Sequence, residues 1–168
     1  MSYRLEVVTD RIDEAVLRAG GLMFDHCRAG WQVVVVTVDA THAEALAILG
    51  VRAEPPGAES EGNTKQDRSF RTVVAPLEQL TTPESTADAS LLWGEPLGET
   101  AGRVLLPVRH QLSAAARAFK SHAMRCAGLQ ASDMAEERFW IRDRPPLSAV
   151  SGRSGTRSPT MVGGWAGG

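Results

Sequence analysis

This 168-residue sequence predicts an α/β fold of Rossmann-like type, a mostly parallel sheet flanked by helices, and three observations carry that expectation. The apolar pattern R-L-E-V-V at residues 4–8 has the length of a short strand and runs directly into a helical pattern. The run W-Q-V-V-V-V-T-V at 31–38 is almost wholly β-branched, the composition of a strand covered on both faces. Strand, helix and buried strand in succession make a βαβ unit, whose crossover is nearly always right-handed.

The elements follow in order. Thr9 and Asp10 are capping types that stop the first strand and start a helix. From Ile12, the residues Val16, Ala19, Met23 and Cys27 share one helical stripe, which ends near Gly30. Gly20 and Gly21 lie inside this helix, where each glycine costs about 1 kcal/mol relative to alanine. They are read as a close helix–sheet approach, because the chain has no G-x-G-x-x-G or P-loop pattern. A second helix over 41–49 ends at Gly50, and V-R-A opens a third strand before the Pro55-Pro56-Gly57 turn. Residues 57–69 are polar and read as an exposed, mobile loop. Residues 71–75 and 89–93 are short strands, the second leading into a loop from Gly94 to Gly98, and open α/β sheets bind ligands at such strand ends. A long helix is expected over 108–127, with Leu112, Ala115, Ala116, Phe119, Ala123 and Cys126 facing the core. Residues 136–142 are a last strand or a cap on the core. The stretch from Pro145, rich in Gly, Ser, Arg and Pro, buries too little apolar area to offset its ordering entropy. Residues 1–144 are therefore one α/β domain and 145–168 a disordered tail.

Composition narrows the function. Eighteen Lys and Arg against twenty Asp and Glu leave a net charge of -2, with the basic residues dispersed, which excludes the footprint of a nucleic-acid binder. No apolar run approaches the roughly 18 residues of a membrane span, and the N-terminus lacks a signal-peptide pattern. Cys27 and Cys126 form no C-x-x-C and read as reduced core thiols. The expected location is the cytoplasm, away from membranes. Trp93 and Trp140 are read as core or interface anchors.

The stretch R-I-D-E-A-V-L-R-A-G-G at 11–21 resembles the signature H-P-D-D-E/A-V-L-x-x-G-G of the LmbE/PIG-L family of metal-dependent N-deacetylases. The similarity continues through A-G-W-Q-V-V-V-V-T-V and H-A-E-A-L-A-I-L-G-V, covering residues 4–52, with weaker matches at L-L-W-G-E-P-L-G-E-T-A-G-R-V-L, A-F-K-S-H-A-M-R and E-R-F-W. In that family zinc is held by the signature histidine, the second aspartate and a later histidine, and the first aspartate activates the metal-bound water against an acetamide. A borderline divalent ion takes imidazole and carboxylate ligands and lowers the pKa of its water toward about 7, which explains those residue types. The resemblance also implies a longer segment after the second strand than the one here, where Val38 nearly meets Thr41.

Carried over position by position, the resemblance puts Arg11 at the histidine, Ile12 at the proline, Asp13 at the base and Glu14 at the second aspartate. Glu99 and Gly102 fall where the loop histidines belong, with His110 close by as a substitute ligand. Arginine is permanently cationic and only donates, so it repels a metal ion. Arg11 beside Asp13 and Glu14 is expected to form an internal ion pair that replaces the missing positive charge. The bland alternative is that Asp13 and Glu14 are first-turn acids complementing the helix dipole. His26, His42 and His122 are read as helical residues away from the strand ends.

The expected function is a deacetylase-family pseudoenzyme without zinc or other cofactor, binding a small molecule or a protein partner, with Arg11, Glu14 and Glu99 as binding residues. One alternative is an active zinc amidohydrolase with Asp13 as base and a site rebuilt from Glu14 and His110, removing acetyl from an N-acetylated amino sugar or related metabolite. Another is an unrelated Rossmann-like binding module. A homo-oligomer is compatible with all three.

Overall fold

Leu5 and Val7 alternate with Arg4 and Glu6 along Tyr3–Val8 (β1), so one side of this strand is apolar and the other charged. That strand is central to a sheet in the computed structural model, which describes residues 2–58, 70–81, 90–96 and 105–142. After β1 come Ile12–Arg28 (α1), Gln32–Val36 (β2), Ala43–Ile48 (α2), Arg52–Glu54 (β3), Phe70–Pro76 (β4), a 3-10 turn at Leu77–Thr81 and Leu91–Trp93 (β5). Leu105–Gln111 (β6), Ala114–Cys126 (α3) and Glu136–Arg142 (β7) complete the described elements. The order across the seven-stranded sheet is β3-β2-β1-β4-β5-β7-β6. The first five strands are mutually parallel, while β7 is antiparallel to both β5 and β6.

The α1 stripe falls as its spacing requires: Ile12, Val16, Ala19 and Met23 are buried and Cys27 is half-buried. They join Leu5, Val7, Val33 and Val35 in the main core, closed over by Leu46 of α2 and by Ala116, Ala123 and Met124 of α3. A smaller apolar cluster of Val73, Ala75, Leu77 and Leu92 lies apart from it. On the charged side of the sheet, Arg4 bridges Glu6 at 2.7 Å and Glu54 at 2.9 Å, Arg52 holds Glu54 at 3.0 Å, and Arg71 reaches Glu6. Burial pushes the Glu6 carboxyl up, but hydrogen bonds from Arg71 and Arg4 outweigh it and leave it below its ordinary range.

Three sequence expectations are corrected. Residues 108–111 are strand, not helix: β6 pairs with β7 along its whole length, from Leu105 opposite Arg142 to Gln111 opposite Glu136. Pro107 is tolerated there because β6 is an edge strand. The helix begins only after Ser113, whose Oγ accepts from the Ala116 amide at 3.0 Å. Ser113→Ala is expected to lower stability by about 1 kcal/mol, measured by urea unfolding, because it removes this cap.

The buried stripe of α3 is also rotated from the expected one. Ala116, Lys120, Ala123, Met124 and Ala127 face inward, whereas Phe119, Ala115 and Cys126 are exposed. Counting only apolar residues hid the face that carries the lysine. The two cysteines are free, as expected, but only Cys27 is even partly buried, and Cys126 is not a core thiol.

Lys120 is 1% exposed and Glu137 of β7 is 2% exposed, with Lys120 Nζ donating to Glu137 Oε1 at 2.7 Å. The same carboxylate accepts from the Gly21 amide at 2.7 Å through Oε1 and from the Leu22 amide at 2.8 Å through Oε2. The glycine pair thus serves the expected close approach to the sheet, through β7 at Gly21, and an approach to α3 at Gly20 as well. A Cβ on Gly21 would stand 2.4 Å from Leu112 Cγ, and one on Gly20 would stand 3.3 Å from Lys120 Cγ. The tail boundary at 144/145 lies outside the described residues, as does nearly all of the 57–69 loop.

Candidate functional site

Leaving β1, the chain builds β2 and β3 on one side, while β4 and β5 occupy the other. The order of the sheet therefore reverses between β1 and β4, and a crevice opens there at the carboxyl ends of parallel strands. Thr9 shapes the turn out of β1: its amide donates to Val36 O at 3.2 Å and its Oγ1 accepts from the Arg11 amide at 3.1 Å. This turn starts α1 at Ile12 and delivers Arg11, Asp13 and Glu14 to the crevice.

The Arg11 guanidinium spans both oxygens of Asp13, with Nε 3.3 Å from Oδ1 and Nη2 2.7 Å from Oδ2. That hydrogen bond holds the Asp13 carboxyl below its ordinary range despite partial burial. Glu14 turns the other way, and its Oε1 accepts from the indole Nε1 of the buried Trp93 at 3.3 Å. A cavity of about 270 Å³ is lined by Arg11, Asp13, Glu14 and Arg18, with Glu78 from the segment after β4 and an apolar part from Leu17 and Leu129.

A further rim comes from the segment after β2. Asp39 Oδ1 accepts from the Thr41 hydroxyl at 2.6 Å and from its amide at 2.9 Å, which keeps the Asp39 carboxyl below its ordinary range. His42 follows at φ 69°, a left-handed conformation that costs a non-glycine residue about 1–3 kcal/mol. His42 is the N-cap of α2, a few residues after the carboxyl end of β2, so it lies by this rim, contrary to its expected placement away from the strand ends. The sequence reading missed Asp39, His42 and Glu78. The signal for the first two was a cluster of turn formers, D-A-T-H, directly after a buried parallel strand.

Arg11, Asp13 and Glu14 are brought together; Glu99 and Gly102 lie outside the described residues. His110 is on β6 rather than at a helix start, and its Nε2 stands 3.0 Å from Asp25 Oδ2. Asp25 is more than three turns beyond Asp13 on α1, about 18 Å along the axis at about 1.5 Å per residue, so His110 does not join Glu14 in one site. His122 is exposed on α3.

The described crevice side chains do not fit a zinc ion. Both Asp13 oxygens face a guanidinium, Glu14 accepts from Trp93, and the arginine supplies no lone pair. Among the described residues no three His, Cys, Asp or Glu side chains are grouped to hold a metal ion, and no helix is long and apolar enough to cross a membrane.

No family model and no curated protein matches the chain in sequence. Solved structures do match in shape. The zinc-inhibited form of teicoplanin deacetylase Orf2 aligns with TM-score 0.58 at 16% identity, over 86% of this chain and 100% of its own. A triple mutant of a deacetylase of the teicoplanin biosynthetic pathway aligns with TM-score 0.57 at 13% identity, over 86% and 100%. The A40926 pseudoaglycone deacetylase Dbv21 aligns with TM-score 0.56 at 16% identity, over 83% and 96%. The chain is similar to these enzymes in fold, and the α/β architecture it shares with them is a deacetylase-like fold.

Proposed function

We propose that this chain is a deacetylase-fold binding protein that holds a small polar molecule in the β1/β4 crevice and does not hydrolyse it through a metal. The observation that carries this reading is the Arg11 guanidinium across both oxygens of Asp13. In a metal hydrolase a carboxylate at this place would need a free oxygen to take a proton from water. Here both oxygens already accept from a cation, which also disfavours a second cation nearby. The cavity instead offers side chains of both charge signs over an apolar part, which suits recognition of a small polar ligand.

The test has two arms. Arg11→Ala is expected to raise the Asp13 pKa toward the ordinary aspartate value, followed by carboxyl-carbon NMR through an acid titration. The sign follows from the lowered folded value: the Arg11–Asp13 contribution is complete above the ordinary pKa and is lost as pH falls through the depressed one. In the second arm, purified protein is assayed on N-acetylglucosamine conjugates with and without a chelator. No hydrolysis is expected in either. Chelator-sensitive deacetylation that disappears in Asp13→Ala would overturn the proposal and establish a zinc amidohydrolase.

A further inference from the structure

Glu14 and Arg18 stand one turn apart on α1 with the acid nearer the N-terminus, the order in which such a pair bridges most readily. They do not bridge. The Glu14 carboxylate is drawn instead to β5, where the indole Nε1 of Trp93 donates to Oε1 at 3.3 Å, and Oε2 has no partner among the described residues. Arg18 is exposed, and its guanidinium likewise has no partner among the described residues. Trp93 is 1% exposed at the carboxyl end of β5, so a fixed core group, not a surface rotamer, keeps the two charges apart. Both side chains line the cavity of about 270 Å³, and Leu17 and Leu129, which supply its apolar part, are packed against the main core.

These groups narrow the class of ligand. Arg11 and Asp13 answer one another, so the separated pair is what the cavity offers to a charged guest. An anion alone meets Glu14 with repulsion, and a cation alone leaves Arg18 unanswered; a molecule carrying both charges answers both. Residues one turn apart have Cβ atoms about 5–6 Å apart, so the two charges of the guest must also be close together, as they are on a single α-carbon. The volume lies below the roughly 300–1,000 Å³ of drug-sized sites and suits a small metabolite. We infer that the crevice binds an α-amino acid with an apolar side chain. Its carboxylate takes paired N–H donors from Arg18, its ammonium donates to Glu14 Oε2, and its side chain covers Leu17 and Leu129. The inference rests on the reading of the crevice as a binding site that works without a metal.

Full-length protein is titrated calorimetrically with leucine, methionine and phenylalanine, and at least one is expected to bind at one molecule per chain. For leucine, two truncated molecules separate the charges without any variant: 4-methylpentanoate lacks the ammonium and 3-methylbutylamine lacks the carboxylate. Each is expected to bind about 10-fold more weakly than leucine, and glycine, which lacks the apolar group, more weakly still. Arg18→Ala is expected to weaken leucine about 10-fold and leave 3-methylbutylamine unchanged, whereas Glu14→Gln weakens leucine and leaves 4-methylpentanoate unchanged. His122→Ala, exposed on α3, should change none of these affinities. Binding by none of the three amino acids, or a truncated molecule that binds as well as leucine, would overturn the inference. If the protein also shows no chelator-sensitive hydrolysis, only the amino-acid assignment falls; chelator-sensitive hydrolysis lost in Asp13→Ala removes the metal-free reading and this inference together.

Discussion

Lys120→Met is expected to lower folding stability by about 3–5 kcal/mol, because removing one partner of a buried ion pair leaves the other charge uncompensated. The pair is nearly inaccessible, with Lys120 and Glu137 side chains 2% and 1% exposed. Glu137→Gln is expected to cost about as much, since it leaves the Lys120 ammonium buried without a counter-charge. The double variant Lys120→Met/Glu137→Gln should lose much less than the sum, because it removes both charges and keeps a carbonyl oxygen for one of the two helix amides. Urea unfolding of the four proteins closes the cycle, and additive losses would show that the pair is not a coupled unit.

The second large effect is expected at Gly21. Alanine would ordinarily stabilise a helix interior by about 1 kcal/mol over glycine. Here its Cβ would stand 2.4 Å from both Leu112 Cγ and Cδ2 and 3.1 Å from Glu137 Oε1. Leu112 is buried, so the whole side chain must move rather than only its tip. Overpacking of this kind costs about 1–3 kcal/mol, and the net result for Gly21→Ala is destabilisation. Gly20→Ala meets only Lys120 carbons, the nearest at 3.3 Å, and should be close to neutral. A melting series distinguishes the two positions; equal effects at Gly20 and Gly21 would refute the steric account. Adding Leu112→Ala to Gly21→Ala should recover part of the loss by opening the space that the new methyl needs.

The first half of the fold was legible because its strands and helices carry their own local signals. The run of valines in β2 and the capping turn at Thr9 each specify one element without help from distant chain. Arg11, Asp13 and Glu14 were legible for the same reason, being adjacent in sequence at one helix start. Residues 108–111 were misread because the apolar spacing of α3 extends backward through Leu112, while pairing with β7 across about thirty residues decides the strand. Lys120 and Glu137 were missed because hydropathy reads both as surface, and only their meeting inside the protein makes burial tolerable. His42 and Asp39 reach the crevice through topology: the parallel pairing of β1 and β2 brings two loops to the same end of the sheet.

The carboxylate that docks on Gly21 and Leu22 also sets an order of events during synthesis. Those amides lie in the second element of the chain, whereas their partner lies 116 and 115 residues later. A ribosome will have released β1, α1 and β2 long before Glu137 exists, so the nascent βαβ unit lacks the acceptor that its central helix uses in the finished protein. Contacts this distant are slow to form and reward the chain only after the intervening loops have closed. The N-terminal unit therefore matures last at its own middle, when the final strand arrives to complete it.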